Sequence, residues 1–159
     1  MIKILEGNIL DADETIICQQ VNCKGVMGSG LAKQIRNKYP NVYTDYKLFC
    51  KTVKNPLGQV NSVVVQDKEK GLNHIIMNIF GQDGYGRDRR YTDYNALEMG
   101  LQSIYNEVTT EGNFLYGKSI AIPYNLGCGL AGGDWNEIES IIKQFVTVDV
   151  FIYDLPVKK

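Results

Sequence analysis

Histidine is nearly absent from this 159-residue sequence: His74 stands alone. One imidazole excludes a metal centre built from several histidines and leaves a single candidate base for any Ser–His or Cys–His pair. Cysteine is sparse too, and Cys18, Cys23, Cys50 and Cys128 show no Cys-x-x-Cys spacing. A basic excess is missing: 17 Lys and Arg face 18 Asp and Glu, for a net charge of −1, which argues against a dedicated nucleic-acid binder. No apolar run approaches the ~18 residues of a membrane span. The segment Met1-Ile2-Lys3-Ile4-Leu5-Glu6 meets an acidic residue early and lacks a signal-peptide apolar core. Four reduced thiols and a cytoplasmic location are therefore expected.

Glycine is the residue in excess, 16 of 159, or ~10% against a usual ~7%. A chain of this length suits one domain over residues 1–159, burying ~70% of its unfolded surface. Periodicity and punctuation predict strands over 2–5, 15–21, 62–66, 74–80, 119–123 and 148–155. Helices are predicted over 30–38, 42–53 and 93–108, the last capped by Thr92 and carrying Leu97, Leu101, Ile104 and Val108 at helical spacing. A final helix starts at Asp134, where Asp134 and Glu137 form a capping-box pattern and Trp135, Ile138, Ile141, Ile142 and Phe145 supply the buried face. His74 reads as a hydrogen-bonded core histidine. The alternation implies a layered α/β domain with a largely parallel or mixed sheet, whose ligands sit beyond the carboxyl ends of the strands.

Ten of the 16 glycines lie in three strand-following segments. The first, Asn22 to Gly30, leads into a helix, and its spacing fits either an anion cradle or a tight packing turn. It ends in neither Gly-Lys-Ser/Thr nor the dinucleotide fingerprint. The second, Pro123 to Asp134, also runs from strand to helix, so that two such loops can hold a diphosphate from opposite sides. Cys128 reads as a small wall residue rather than a nucleophile. The third, Gly81 to Tyr91, mixes glycine, aromatics and charge, as substrate-covering loops and solvated surface loops both do. Its Arg87, Arg89 and Arg90 are balanced by Asp83, Asp88 and Asp93.

Together these segments resemble the macro domain family. The matching signs are Gly7-Asn8-Ile9; Val21-Asn22-Cys23-x-Gly25-x-Met27-Gly28-x-Gly30-Leu31-Ala32; and Pro123…Gly127-Cys128-Gly129-Leu130…Asp134-Trp135. The form is similar to the branch holding terminal ADP-ribose protein glycohydrolases, DNA ADP-ribose hydrolases and ADP-ribose 1″-phosphate phosphatases. The resemblance implies a three-layer α/β/α sandwich, with a mixed central sheet of about six strands, binding ADP-ribose in a cleft without a cofactor or metal. By the same resemblance Asn8, Ile9, Tyr153 and Leu155 lie near the adenine. Gly28, Ser29, Gly30 and Leu31 cradle the diphosphate from one side. Gly127, Cys128, Gly129 and Leu130 close over it and the distal ribose, and Asn22 hydrogen-bonds the distal ribose hydroxyls. Gln20, Met27, Gln82, Pro123 and Asn125 complete the expected ADP-ribose-binding set.

The sequence also departs from that pattern. Asn8 stands where the family commonly has Asp. Gln82 and Asp83 stand where the glycohydrolases of this branch have a lysine, and Ala131 where they can have an aspartate. The histidine of the phosphatase branch, near Gln19 or Gln20, is missing. A covalent-lysine mechanism does not transfer to this chain. The reading is a hydrolase removing a phosphate, acyl group or macromolecule from the distal ribose, with Asn22 and Asp83 as catalytic candidates. A non-catalytic ADP-ribose reader is the alternative, and an RNA-binding module using the third loop is another. The expected partner is ADP-ribose or an ADP-ribosylated molecule, ADP-ribosylated DNA included, bound by a monomer away from any membrane.

Overall fold

The computed structural model describes residues 1–145 and 147–155. Six strands form one sheet: β1 (Ile2–Glu6), β2 (Ile16–Val21), β3 (Val60–Asp67), β4 (Leu72–Phe80), β5 (Ile120–Pro123) and β6 (Val150–Asp154). Their order is β1-β6-β5-β2-β4-β3, with β3 antiparallel to β4 and every other neighbour parallel. Parallel pairing places the carboxyl ends of β1, β6, β5, β2 and β4 along one edge, so the segments that follow them converge there.

Side chains alternate across β2 as a two-sided strand requires. Ile16 and Cys18 enter the layer shared with α3 (Tyr94–Thr109) and α4 (Trp135–Ile142). Ile17 and Val21 enter the layer shared with α1 (Gly30–Lys38) and α2 (Pro40–Thr52). The central β4 is buried from His74 to Phe80, as its near-continuous apolar run implied. In α3 the predicted stripe of Leu97, Leu101, Ile104 and Val108 is buried, each side chain contributing ~1.5–3 kcal/mol by its burial.

Three local expectations are corrected. Helix α2 starts at Pro40, two residues earlier than its apolar pattern suggested, because proline suits a first helical turn. The cap of α3 is Asp93, whose carboxylate accepts from the Ala96 amide at 3.0 Å; Thr92 is buried and bonded elsewhere. Asp134 does cap α4 through the Asn136 amide, 2.9 Å. The capping box is not closed among the described residues, because the Asp134 amide donates instead to Tyr94 Oη on α3, 2.9 Å. His74 is a core residue, with Nδ1 2.6 Å from the Glu14 carbonyl.

A buried polar ladder crosses the α1/α2 side of the sheet. Gln19 Nε2 donates to Asn78 Oδ1 (2.7 Å), Asn78 Nδ2 to Asn61 Oδ1 (3.0 Å) and Asn61 Nδ2 to Asp45 Oδ1 on α2 (2.8 Å). The three amides are cross-strand neighbours in register. Each amide nitrogen finds its acceptor on the next residue, while Gln19 Oε1 is left buried without a partner among the described residues.

Candidate functional site

The loop after β2 is folded around Asn22. Its Nδ2 donates to the Val26 carbonyl (2.9 Å), while its Oδ1 accepts from the Lys24 amide (2.9 Å) and from Tyr46 Oη (2.9 Å). Tyr46, buried on α2, also donates to the Asn22 carbonyl (2.6 Å) and accepts from the Gly25 amide (3.2 Å). Burial pushes the Tyr46 phenol far above its ordinary range, so it stays protonated. The helix predicted over 42–53 gave Tyr46 no separate role; the available signal was that a buried tyrosine hydroxyl needs partners. The loop then opens into α1 at Gly30, whose φ of +56° is a left-handed conformation that glycine adopts at low cost. Ser29 precedes the helix without a side-chain cap.

The loop after β4 is closed by a bridge between Gln82 and Thr92. It is tied to the first loop by the Cys23 amide on the Asp83 carbonyl (2.9 Å) and by Cys23 Sγ on the Gln82 carbonyl (3.4 Å). At the rim, Lys24 Nζ lies 3.6 Å from the exposed Asp83 carboxylate. The loop after β5 joins the same framework. The Tyr91 and Thr92 amides donate to the Ala131 carbonyl, and Thr92 Oγ1 donates to the Gly127 carbonyl at 2.6 Å. Beneath both loops Gln20 Nε2 donates to Thr92 Oγ1 and to Gln82 Oε1, each at 2.9 Å. A Cβ on Gly127 would lie 2.8 Å from Gln20 Oε1, so this glycine makes room for the Gln20 side chain.

At the opposite end of the strand edge, Asn8 Oδ1 accepts from the Leu10 amide (3.0 Å) and caps a 3-10 turn over Ile9–Asp11 that the sequence reading did not anticipate. Ile9 is buried beneath it. The half-buried Tyr153 donates its hydroxyl to the Glu14 carboxylate at 2.8 Å, and Leu155 is exposed just beyond β6.

The candidate residues thus line one edge of the sheet, in two different ways. Gly28, Ser29, Gly30, Asn125, Gly129 and Leu130 are exposed, and Asn8, Gln20, Leu31, Gln82, Pro123, Gly127, Cys128 and Tyr153 are partly so. Met27 is different: the residue is 1% exposed, in the core, so it backs the loop from beneath and is not open to a ligand in this structure. The Asn22 side chain, 8% exposed, is engaged in shaping its own loop. Burial, reinforced by the Asp134 carboxylate, pushes the Cys128 thiol up to about 11. Burial with the Asp83 carboxylate raises Cys23 to about 11 as well. Both shifts favour the protonated thiol over the nucleophilic thiolate at neutral pH.

What these loops offer is main-chain donors. Among the described residues, the amides of Gly28, Ser29 and Leu31 on one side, and of Gly129 and Leu130 on the other, have no protein acceptor. Gly28 and Gly129 have no structural need to be glycine. Neither has a left-handed φ; a Cβ on Gly28 would make only ordinary contact with Val26, and one on Gly129 would meet nothing within 4 Å. Two surface hollows of about 420 and 480 Å³ lie elsewhere, beside Met99 of α3 and beside Tyr39 and Asp67, and neither is lined by these loops.

Comparison with known proteins agrees with this architecture. The family model described as Macro domain matches residues 18–142. The DNA ADP-ribosyl glycohydrolase of Mycobacterium tuberculosis is 34% identical over 157 residues, covering 96% of this chain and 42% of that protein. This chain thus spans less than half the length of that relative. The ADP-ribose 1″-phosphate phosphatase of Saccharomyces cerevisiae is 25% identical over 166 residues, covering 91% of this chain and 92% of that protein. Among solved structures, the macrodomain of Mycobacterium tuberculosis DarG superposes with a TM-score of 0.73 at 29% identity, covering 99% of both chains. The chain belongs to the macro domain family.

Proposed function

We propose that this chain binds ADP-ribose along the carboxyl edge of its sheet and hydrolyses the bond between the distal ribose and an attached group. The observation that carries this is the pair of loops after the neighbouring strands β2 and β5, with unpaired amides at Gly28, Ser29, Gly129 and Leu130, where glycines unneeded by the fold leave the main chain open to a ligand. Amides that donate to no protein partner suit a diphosphate: a hydrogen bond to a charged group contributes ~1.5–3 kcal/mol. The α1 N-terminus adds a partial positive charge. Main-chain donors hold the anion without lysine or arginine, which fits a net charge of −1.

The adenine lies by Asn8, Ile9 and Tyr153, and the distal ribose points toward the loop after β4. Asn22 acts as a positioning residue by fixing the loop that faces the diphosphate. Asp83, held at the rim by Lys24, is the candidate general acid or base. Holding the diphosphate fixes the reactive end relative to that carboxylate. The names of the relatives, DNA ADP-ribosyl glycohydrolase and ADP-ribose 1″-phosphate phosphatase, rank ADP-ribosylated DNA first and ADP-ribose 1″-phosphate second as substrates. The four free cysteines fit a monomer in a reducing cytoplasm.

The test is a panel of ADP-ribosylated single-stranded DNA, ADP-ribosylated protein, ADP-ribose 1″-phosphate and O-acetyl-ADP-ribose, with released ADP-ribose measured for the protein and for Asp83→Asn. Release from at least one substrate, reduced in the variant, is expected. The exposed setting of the Lys24–Asp83 pair and the alanine at 131 favour a second reading, a non-catalytic reader. Binding of ADP-ribose without release from any substrate would establish that reading instead, and no calorimetric heat with ADP-ribose would refute both.

A further inference from the structure

The loop between the Gln82–Thr92 bridge partners carries three arginines against two aspartates, Asp83 and Asp88. Arg87, Arg89 and Arg90 are exposed, and none is ion-paired among the described residues. The nearby carboxylates keep their charge but are hydrogen-bonded or paired to groups other than these guanidiniums. Asp83 pairs with Lys24, Asp88 accepts from Tyr91 Oη at 2.6 Å, Asp93 caps Ala96 and Asp134 caps Asn136. Two of the guanidiniums lie over aromatic rings, Arg89 4.8 Å from the Tyr91 centroid and Arg90 4.5 Å from that of Tyr94. Such stacking holds a guanidinium in place yet leaves its in-plane N–H groups free for an anion. Tyr85, 56% exposed on the same loop, presents a bare aromatic face.

Position gives this cluster its meaning. The adenine end of the proposed ligand lies by β1 and β6, and β4 is four places further along the sheet. A ligand lying along that edge directs its distal ribose, and whatever is attached to it, toward the loop after β4. We propose that Arg87, Arg89 and Arg90, with Tyr85 as a stacking face, hold the phosphodiester backbone of single-stranded DNA attached to the ADP-ribose. The inference rests on the ADP-ribose reading of the cleft. Arginines interleaved with aromatics are the pairing that single-stranded nucleic acid requires, charge for the phosphates and a flat face for a base. A chain with no overall basic excess binds unmodified DNA only weakly. Its ADP-ribose cleft supplies affinity, and the arginines select which attached group is accommodated.

The test compares the protein with a triple variant, Arg87→Gln, Arg89→Gln and Arg90→Gln, and with the corresponding triple lysine variant. Binding is read by rapid-mixing fluorescence anisotropy, before turnover, across a salt series. The probes are free ADP-ribose, an unmodified single-stranded oligonucleotide, the same oligonucleotide bearing one ADP-ribose, and an ADP-ribosylated peptide. Single-strand contacts contribute a slope of about −0.7 per phosphate to log K against log salt. Three contacts predict a slope of about −2 for the ADP-ribosylated oligonucleotide, near zero in the glutamine variant and largely kept in the lysine variant. ADP-ribose affinity stays the same in all three proteins. An unchanged slope in the glutamine variant overturns the proposal, and so does an equal loss for the ADP-ribosylated peptide, which would assign the arginines to a protein partner. If ADP-ribose itself fails to bind, the cleft reading falls separately. The unmodified oligonucleotide then decides the surface: a slope abolished by the glutamine variant keeps it, and an unaltered slope removes it.

Discussion

Replacing Gly129 with valine separates the cost of a substitution to the fold from its cost to the ligand. The position is exposed, its φ is not left-handed, and a Cβ there meets nothing within 4 Å. The fold should tolerate the change within about 0.5 kcal/mol, as at other unencumbered surface sites. A branched side chain would, however, occupy the space through which a diphosphate approaches the Gly129 and Leu130 amides. Losing two hydrogen bonds to a charged group costs ~3–6 kcal/mol, and at 1.4 kcal/mol per tenfold the affinity for ADP-ribose falls ~10²–10⁴-fold. Gly133→Val is the contrast, because its Cβ would sit 2.6 Å from the Gly127 carbonyl oxygen, a main-chain atom that cannot step aside. That variant should lose stability. Calorimetry with ADP-ribose and thermal unfolding of both variants make the comparison. A Gly129→Val protein that melts within ~2 °C of the parent and binds within about threefold of it would show that the loop after β5 does not cradle the diphosphate.

Tyr46→Phe should lower stability by ~1–3 kcal/mol, since the Gly25 amide and the Asn22 groups lose a buried partner; thermal unfolding reads the loss, and ADP-ribose affinity should fall with it as the first loop loses its shape. Asn78→Leu interrupts the polar ladder and strands Gln19 Nε2 and Asn61 Oδ1 in the core, for a loss of ~2–5 kcal/mol in urea unfolding. The raised thiols of Cys23 and Cys128, each about 11 against an ordinary 9.0, should alkylate slowly at pH 7.5. Between pH 9 and 11 the unfolded chain releases these protons and the folded chain keeps them, so stability should decline across that window. Alkylation rates followed by mass spectrometry, and denaturation midpoints across that range, check both statements.

What the sequence made legible was whatever depends on neighbours along the chain. The stripe of α3, the two-sided apolar run of β4 and the three glycine segments needed only local spacing, and all lie where that spacing put them. What escaped was set by the order of the strands. Gln19, Asn78 and Asn61 form a ladder because β2, β4 and β3 are adjacent, and nothing in the spacing of three amides announces that. Thr92 looked like a helix cap by its position. It serves instead as the joint between Gln20 and Gly127, residues separated from it by 72 and 35 positions. The capping box at Asp134 failed for the same reason, a phenol from another helix having taken the donor.

The pairing of β1 with β6 sets the order in which the molecule is completed. The first strand, Ile2–Glu6, lies at the edge of the sheet and its one neighbour there is Val150–Asp154. A ribosome adds ~5–20 residues per second, so β1 waits on the order of ten seconds for its partner to be made. Until then Asn8 and Ile9 have no Tyr153 beside them, and the end of the site proposed for the adenine is not assembled. The two glycine loops after β2 and β5 can form earlier, from strands already in hand. On the proposed reading, the loops assigned to the phosphates are in place before the residues assigned to the base.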